Sequence, residues 1–117
     1  MGLTNTTDYN SHALLMAALK TPTPVGFQTI TFAAASVYRL TVPEGATYAV
    51  MQVMTGNAGV TADLIRVRED GTDPTAAVGF SYATTEKWSV VGAEALFRWR
   101  GIRTTANAHI LSVQYYK

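Results

Sequence analysis

From Gly26 onward, apolar and polar residues alternate with a period of two, and each alternating run ends in a cluster of turn-forming residues. Phe27, Ile30 and Phe32 mark the first run, with Thr29 and Thr31 facing the other way. Val37 to Val42 sets Tyr38, Leu40 and Val42 against Arg39 and Thr41, and Pro43-Glu-Gly-Ala46 turns the chain. Thr47 to Thr55 is apolar on both faces, with Tyr48, Val50 and Met54 on one and Ala49, Met51 and Val53 on the other. That is the pattern of a strand buried in the middle of a sheet. After Gly56-Asn-Ala-Gly59, the run Asp63 to Glu69 places Ile65 and Val67 inward and Arg66 and Arg68 outward. Asp70-Gly71 and Asp73-Pro74 form the next connection. Ala76 to Tyr82 and Lys87 to Val91 are shorter runs. Glu94 to Arg103 alternates Phe97 and Trp99 against Arg98 and Arg100, and Ala108 to Tyr116 sets Leu111, Val113 and Tyr115 against Ser112 and Gln114. About eight strands at such close spacing predict an all-β antiparallel sandwich, with jelly-roll connectivity the expected arrangement and a small barrel the alternative.

The pattern changes at the N-terminus. Residues 1–10 are polar and turn-prone, which predicts an arm ordered on contact. Ser11-His-Ala-Leu-Leu-Met-Ala-Ala-Leu-Lys20 is rich in strong helix formers; Asp8 or Ser11 can cap it, and Thr21-Pro-Thr-Pro24 stops it. Leu14 and Leu15 sit one turn before Ala18 and Leu19, so one face is apolar. A helix this short is marginal alone and must pack on something, either its own domain's sheet or a neighbouring subunit. Leu14, Leu15 and Leu19 are therefore candidate interface residues. The expected organisation is an arm and short helix over residues 1–25, followed by one β-sandwich domain over 26–117.

Composition sharpens this reading. The apolar fraction of 48% is ordinary, but the charged fraction of 15% lies well below the typical quarter. Much of the surface must then be Thr, Ser, Gly, Asn or Ala, as on surfaces that lie against another protein. Asp8 and Lys20 are the only formal charges before Arg39. A net charge of +1 gives no electrostatic case for nucleic acid or an anionic membrane. The chain has no cysteine, so no disulfide frame, thiolate nucleophile or zinc-thiolate site is available. The longest apolar run, Ala13 to Leu19, is too short to span a bilayer and lacks a basic leader, so no signal peptide is expected.

Catalytic spacings are missing. His12 and His109 are the only imidazoles, and neither has a partner at metal-ligand spacing. Glu69, Asp70 and Asp73 lack the alternating ligands and closing Glu of a calcium loop; Asp70 and Asp73 read as acceptors of local backbone hydrogen bonds that hold the turn. No serine sits in a G-x-S-x-G setting. The expectation is a protein that is not an enzyme and needs no cofactor or metal.

Arginine is the more informative residue. Arg66 and Arg68, and Arg98 and Arg100, fall at i, i+2 spacing, with Arg103 close behind, so each strand would lay a row of guanidinium groups on one face. Such rows are either a solvated face balanced by Asp63, Glu69, Glu86 and Glu94 or a polar docking face. Arg66, Arg68, Arg98 and Arg100 are the candidate register-setting contacts. Phe97 and Trp99 are expected in the core. Tyr115 and Tyr116 end on opposite faces, which makes Tyr116 a candidate interface residue. Exposed Trp88, Tyr82 and Tyr116 on one face would instead indicate a sugar- or receptor-binding module.

The run Ile65-Arg-Val-Arg-Glu-Asp-Gly-Thr-Asp-Pro-Thr-Ala-Ala-Val-Gly79 resembles a segment of small structural proteins of tailed-phage particles. Arg100-Gly-Ile102 and the closing Ala108-His-Ile-Leu-Ser-Val-Gln-Tyr-Tyr116 extend the resemblance over roughly the C-terminal half. Phe80-Ser-Tyr82 and Glu86-Lys-Trp88 depart from that pattern. The resemblance implies a β-sandwich virion component present in many copies. Capsid decoration, as a cement protein, leads, and a tail or head-tail accessory role follows. The implied partners are the major capsid protein or other virion subunits, together with further copies of this chain as a dimer or trimer. The implied location is the capsid surface, reached from the host cytoplasm during assembly.

Overall fold

Folding the chain back on itself at the turn between residues 69 and 79 pairs its strands from the centre outward. A computed structural model describes residues 22–117. Its strands are β1 (Pro24–Thr31), β2 (Tyr38–Arg39), β3 (Tyr48–Met54), β4 (Ile65–Arg68), β5 (Phe80–Tyr82), β6 (Lys87–Val91), β7 (Arg100–Arg103) and β8 (Ile110–Tyr116). A short helix, α1 (Ala93–Arg98), lies between β6 and β7. β4 pairs with β5, β3 with β6, β2 with β7 and β1 with β8, all antiparallel. Successive pairs alternate between two sheets, ordered β1-β8-β3-β6 and β2-β7-β4-β5. This nested arrangement is a jelly roll, and the expected sandwich is what the chain forms. The expected N-terminal arm and helix, including Leu14, Leu15 and Leu19, lie outside the described residues; the domain's first strand begins at Pro24, just before position 26.

The inward faces supply the core. Ala49, Met51 and Val53 of β3, Leu111, Val113 and Tyr115 of β8, and Val90 of β6 point from the first sheet toward Ile65 and Val67 of the second. Trp99 and Leu96 are also buried beside them. Each such aliphatic side chain contributes about 1.5–3 kcal/mol when fully buried. The Tyr115 hydroxyl donates to Gln28 Oε1 at 2.6 Å, which satisfies its polar end, and burial pushes its pKa up to about 12. Trp99 dictates its neighbour: a Cβ at Gly101 would stand 2.7 Å from the indole ring, so β7 needs glycine where the ring crosses it.

Several strands differ from their sequence pattern. The run expected as one strand over Glu94 to Arg103 breaks into α1 and β7. Ala-Glu-Ala-Leu-Phe-Arg is a string of good helix formers, and Glu94 pairs with Arg98 one turn later at 3.1 Å. Arg98 therefore does not share a row with Arg100, and Phe97, expected inside, is 69% exposed. Trp99 remains buried because the backbone turns extended at that residue. The run from Ala76 shortens to Phe80–Tyr82, because Thr75 Oγ1 accepts from the Ala77 and Val78 amides and holds those residues in a turn. The Val37–Val42 run keeps only Tyr38–Arg39; beyond it the Thr41 amide donates to Gln28 Oε1 as the chain crosses between sheets.

Candidate functional site

Each sheet has one face left over for the surroundings, and the two faces are built from different residues. Register fixes the first. β1, β8, β3 and β6 align Pro24, Tyr116, Tyr48 and Val91 in one row across the sheet. The next row is Phe27, Gln114, Val50 and Ser89, followed by Thr29, Ser112, Gln52 and Lys87. Thr31, Ile110 and Met54 complete the face. Lys87 is its lone charge. Phe27 (63% exposed) and Val91 (75%) stand out to solvent, with Met54 and Ile110 also exposed. Tyr48 and Tyr116 stack across the β3–β8 pair, ring centroids 4.9 Å apart and nearly parallel. At normal strand spacing and rise, the face covers about 400 Å².

Phe27 corrects an expectation. The alternation groups it with Ile30 and Phe32, but it pairs with Gln114 and shares the outward face with Thr29 and Thr31. The other members, Val50, Met54, Val91 and Ile110, were not singled out as a surface in the sequence. One signal could have found them: in a two-layer sandwich even a central strand shows one face outward. A strand apolar on both faces, as at Thr47 to Thr55, therefore marks an apolar surface as well as a core.

The second sheet turns outward the arginines that the sequence emphasised. Arg66 and Arg68 of β4, Arg100 of β7 and Arg39 of β2 share its outer face. Arg66 pairs with Asp63 at 3.1 Å and also donates to the Gly79 carbonyl. Arg68 bonds Asp70 through Nε at 3.1 Å and Nη2 at 2.5 Å, and Arg100 pairs with Asp73. The Arg68 guanidinium, helped by the Thr72 amide, holds the Asp70 carboxyl below its usual value. The acidic turn thus does two jobs: Asp70 accepts the Thr72 backbone N–H as expected, and it neutralises an arginine. Arg103 lies apart from the row. Its register partner is buried Ile65, and its Nη1 donates to the Phe32 and Ala33 carbonyls, tying the end of β1 to β7.

The predicted candidates therefore separate. Arg66, Arg68 and Arg100 come together on the second sheet, Arg98 stands on α1, and Tyr116 belongs to the first sheet's face. Trp88, Tyr82 and Tyr116 do not form one platform. Trp88 pairs with buried Met51 and packs on the core from the sandwich edge, where its ring stacks on Tyr82 with centroids 3.6 Å apart.

His109 is fully buried where the β3–β4 and β7–β8 loops meet. Its Nδ1 accepts from the Gly56 amide at 3.1 Å, and its Nε2 lies 3.2 Å from Thr105 Oγ1. That partner set assigns the proton to Nε2. Burial, with Arg103 nearby, lowers its pKa from the ordinary value. Gly56 has to be glycine here, since a Cβ would collide with the Ala108 carbonyl. Both ring nitrogens are occupied, Nδ1 joining the two loops and Nε2 bonding within the β7–β8 loop. An open groove beside the β4–β5 turn, about 690 Å³, is lined by Arg68, Glu69, Asp70, Val78, Gly79 and Phe80. Among the described residues, no group of three His, Cys, Asp or Glu side chains could hold a metal ion.

Compared with known proteins, the chain matches no family model and no curated protein. Among solved structures, it is similar to a chain of the Bacillus endospore appendages, which form a novel family of disulfide-linked pili. The TM-score is 0.39 at 13% identity, over 82% of this chain and 90% of that one. A second is dTDP-4-dehydrorhamnose 3,5-epimerase from Bacillus anthracis str. Ames, with a TM-score of 0.38 at 14% identity over 88% of this chain and 58% of the epimerase. Likenesses this weak carry no functional argument.

Proposed function

We propose that this protein is a non-catalytic structural component of a virus particle, present in many copies, that binds the capsid lattice and reinforces it. The observation that carries this reading is the outward face of the first sheet. It is four strands wide, bears one charge, and exposes Phe27, Val91, Met54 and Ile110. A lone exposed apolar residue needs no explanation, whereas four on one sheet face point to a covered surface. The resemblance of the C-terminal half to tailed-phage structural proteins supplies the kind of surface that would cover it. The major capsid protein is the partner of choice, and a tail or head-tail position is the second structural reading.

At about 400 Å², the face alone is about half of what each partner contributes to a standard interface. Attachment on this reading needs more than one element: the face, the N-terminal segment entering beside it, and contacts between copies as a dimer or trimer. Many copies on a lattice then add avidity without stronger individual contacts. The test is co-sedimentation of the purified protein with particles lacking it, followed by its location and copy number in the image reconstruction. Regular occupancy on the shell is expected. Failure to bind heads or tails at any concentration would end the reading, and a ring at the tail would replace it with the second.

A further inference from the structure

We infer that two copies of this chain pair through their β6 strands, antiparallel about a two-fold axis at Ser89, so that their first sheets join into one continuous sheet. The inference rests on the reading of the first sheet's outward face as a covered surface, and it supplies the contact between copies that attachment needs.

Hydrogen bonding fixes which way β6 presents its backbone. At one end the Gly92 amide donates to the Thr47 carbonyl at 2.7 Å, and at the other the Val53 amide donates to the Glu86 carbonyl at 3.4 Å. The register between these ends is unbroken, from Tyr48 with Val91 to Gln52 with Lys87. Bonded and non-bonded pairs alternate along an antiparallel ladder, so Trp88 and Val90 direct their N–H and C=O groups at β3. Lys87, Ser89 and Val91 direct theirs away from it, and all three residues are exposed. None of those groups meets a backbone hydrogen-bond partner among the described residues.

An unpaired edge is a template for another strand, and proteins blunt the edges they do not use. Among the described residues, the other three edge strands are blunted. β2 and β5 have two and three residues. β1 starts at a proline, its register slips between Pro24 and Gly26, and Pro43 packs against Gly26. β6 is five residues long and carries no proline, glycine or register shift.

Two-fold pairing suits the side chains on this edge. With Ser89 facing its copy, Lys87 of each chain lies opposite Val91 of the other. The two ammonium groups then do not confront each other, and each lysine stem covers an exposed valine. The axis stands perpendicular to the sheet, which leaves both outward faces on the same side. Together they present about 800 Å², the share each partner contributes to a standard interface. A head-to-tail contact of β6 with β1 would leave a free edge at each end and propagate, whereas the two-fold contact closes.

Sedimentation of the full chain should show a monomer converting to a dimer as concentration rises. Ser89→Pro removes the donor on the axis but spares the ladder to β3, because that amide points outward. It should stay monomeric where the unmodified chain is dimeric, with the far-UV spectrum of the sandwich unchanged. A second variant does not depend on tolerance of proline. The chain has no cysteine, so S89C can oxidise only with another copy. Facing residues of a bonded antiparallel pair lie about 5.5 Å apart at Cα, within disulfide reach. Oxidised S89C should therefore run as a covalent dimer, whereas T29C on β1 should not. A chain that is monomeric at every concentration, an S89P dimer as strong as the unmodified one, or equal cross-linking of T29C would overturn the inference. Species larger than a dimer would do the same, by assigning the edge to a head-to-tail contact. Particle attachment is assayed separately: a dimer that binds no particle leaves the pairing standing and ends the functional reading, and a monomer that still attaches does the reverse.

Discussion

On the outward face of the second sheet, Arg66, Arg68 and Arg100 each meet an aspartate supplied by a neighbouring turn. On the outward face of the first, Lys87 is the lone charge and Phe27 and Val91 stand in solvent. Both faces belong to the same jelly roll, the second on shorter strands, and they differ in what each has already done with its interactions. An arginine held by a local carboxylate must give up that partner before it can set the register of another protein. An exposed aromatic or aliphatic side chain has nothing to give up. Contact free energy is therefore more readily available on the uncharged face, although arginines are the residues that interfaces favour in general.

The strongest way to break this comparison is to add charge to the first sheet's face. Phe27→Lys with Val91→Lys should lower attachment to particles by at least a hundredfold, since two buried apolar side chains are worth about 1.5–3 kcal/mol each. Thermal stability of the free domain should change little, because both side chains point out of its core. Binding isotherms and melting curves of the same samples check both halves. If attachment persists, the face is solvent and the comparison fails.

Gly101→Ala probes the opposite side of the arginine-bearing sheet. The new methyl would press on the Trp99 ring, and overpacking of this kind costs about 1–3 kcal/mol. Urea unfolding should show a lower midpoint with an unchanged slope. A neutral result would mean that Trp99 can move aside and does not set the geometry of β7.

How much of this was legible beforehand depends on the length scale of the signal. The alternating runs identified both layers, and turn residues such as Asp70-Gly71 marked where they end. The nested pairing of β1 with β8 across most of the chain lies beyond any local pattern, because nothing within a strand encodes its partner. Glu94 to Arg98 misled because five residues can alternate by chance while also being good helix formers. The helical choice is favoured by the Glu94–Arg98 pair and buried Leu96. The arginines drew attention because charge stands out in a chain that carries little of it. The carboxylates that occupy them were also visible at Asp63, Asp70 and Asp73, but their pairing with Arg66, Arg68 and Arg100 depends on how the turns fold. The outward apolar face is present in the two-faced strand at Thr47 to Thr55, whose pattern taken alone reads as core on both sides.

Acid offers a lever that touches neither face. His109 is buried, and its pKa is lowered from 6.5 by desolvation and by Arg103. Below pH 6.5 the unfolded chain therefore binds more protons at this site than the native one, and stability falls as pH drops toward the native pKa. Above 6.5 the contribution is complete. Urea midpoints measured from pH 7.5 to pH 5 should decline, and His109→Gln should flatten that decline while lowering the plateau. An equal slope in the variant would assign the acid sensitivity to carboxylates elsewhere. Because Phe27 and Val91 lie toward the other end of the sheet from the loops that His109 joins, their replacement should lower attachment and acid should lower stability independently of one another.

The arginine side should respond more mildly. Arg66→Ala, Arg68→Ala and Arg100→Ala each remove a solvent-accessible ion pair, for which about 0.2–1 kcal/mol is normal. Arg66 should lie at the upper end because it also holds the Gly79 carbonyl. Salt should shrink these differences, and particle attachment should stay within about twofold of the unmodified protein on the same energetic scale. A tenfold loss of attachment in any of them would restore the arginine row as a docking surface.

Arg98→Ala should have the smallest effect, and it separates sequence spacing from three-dimensional place. In the sequence Arg98 is the equal of Arg100, two positions away in the same alternating run. In the fold it sits on α1 with a side chain 59% exposed, and its partner Glu94 is more exposed still. An i, i+4 pair of this kind contributes about 0.3–0.5 kcal/mol, so the melting temperature should fall only slightly. Glu94→Ala should reproduce that shift, and the double variant should add nothing further, because both single changes remove the same interaction. Additive losses would mean that Arg98 has another partner, and a loss of attachment would bring α1 into the contact surface beside exposed Phe97.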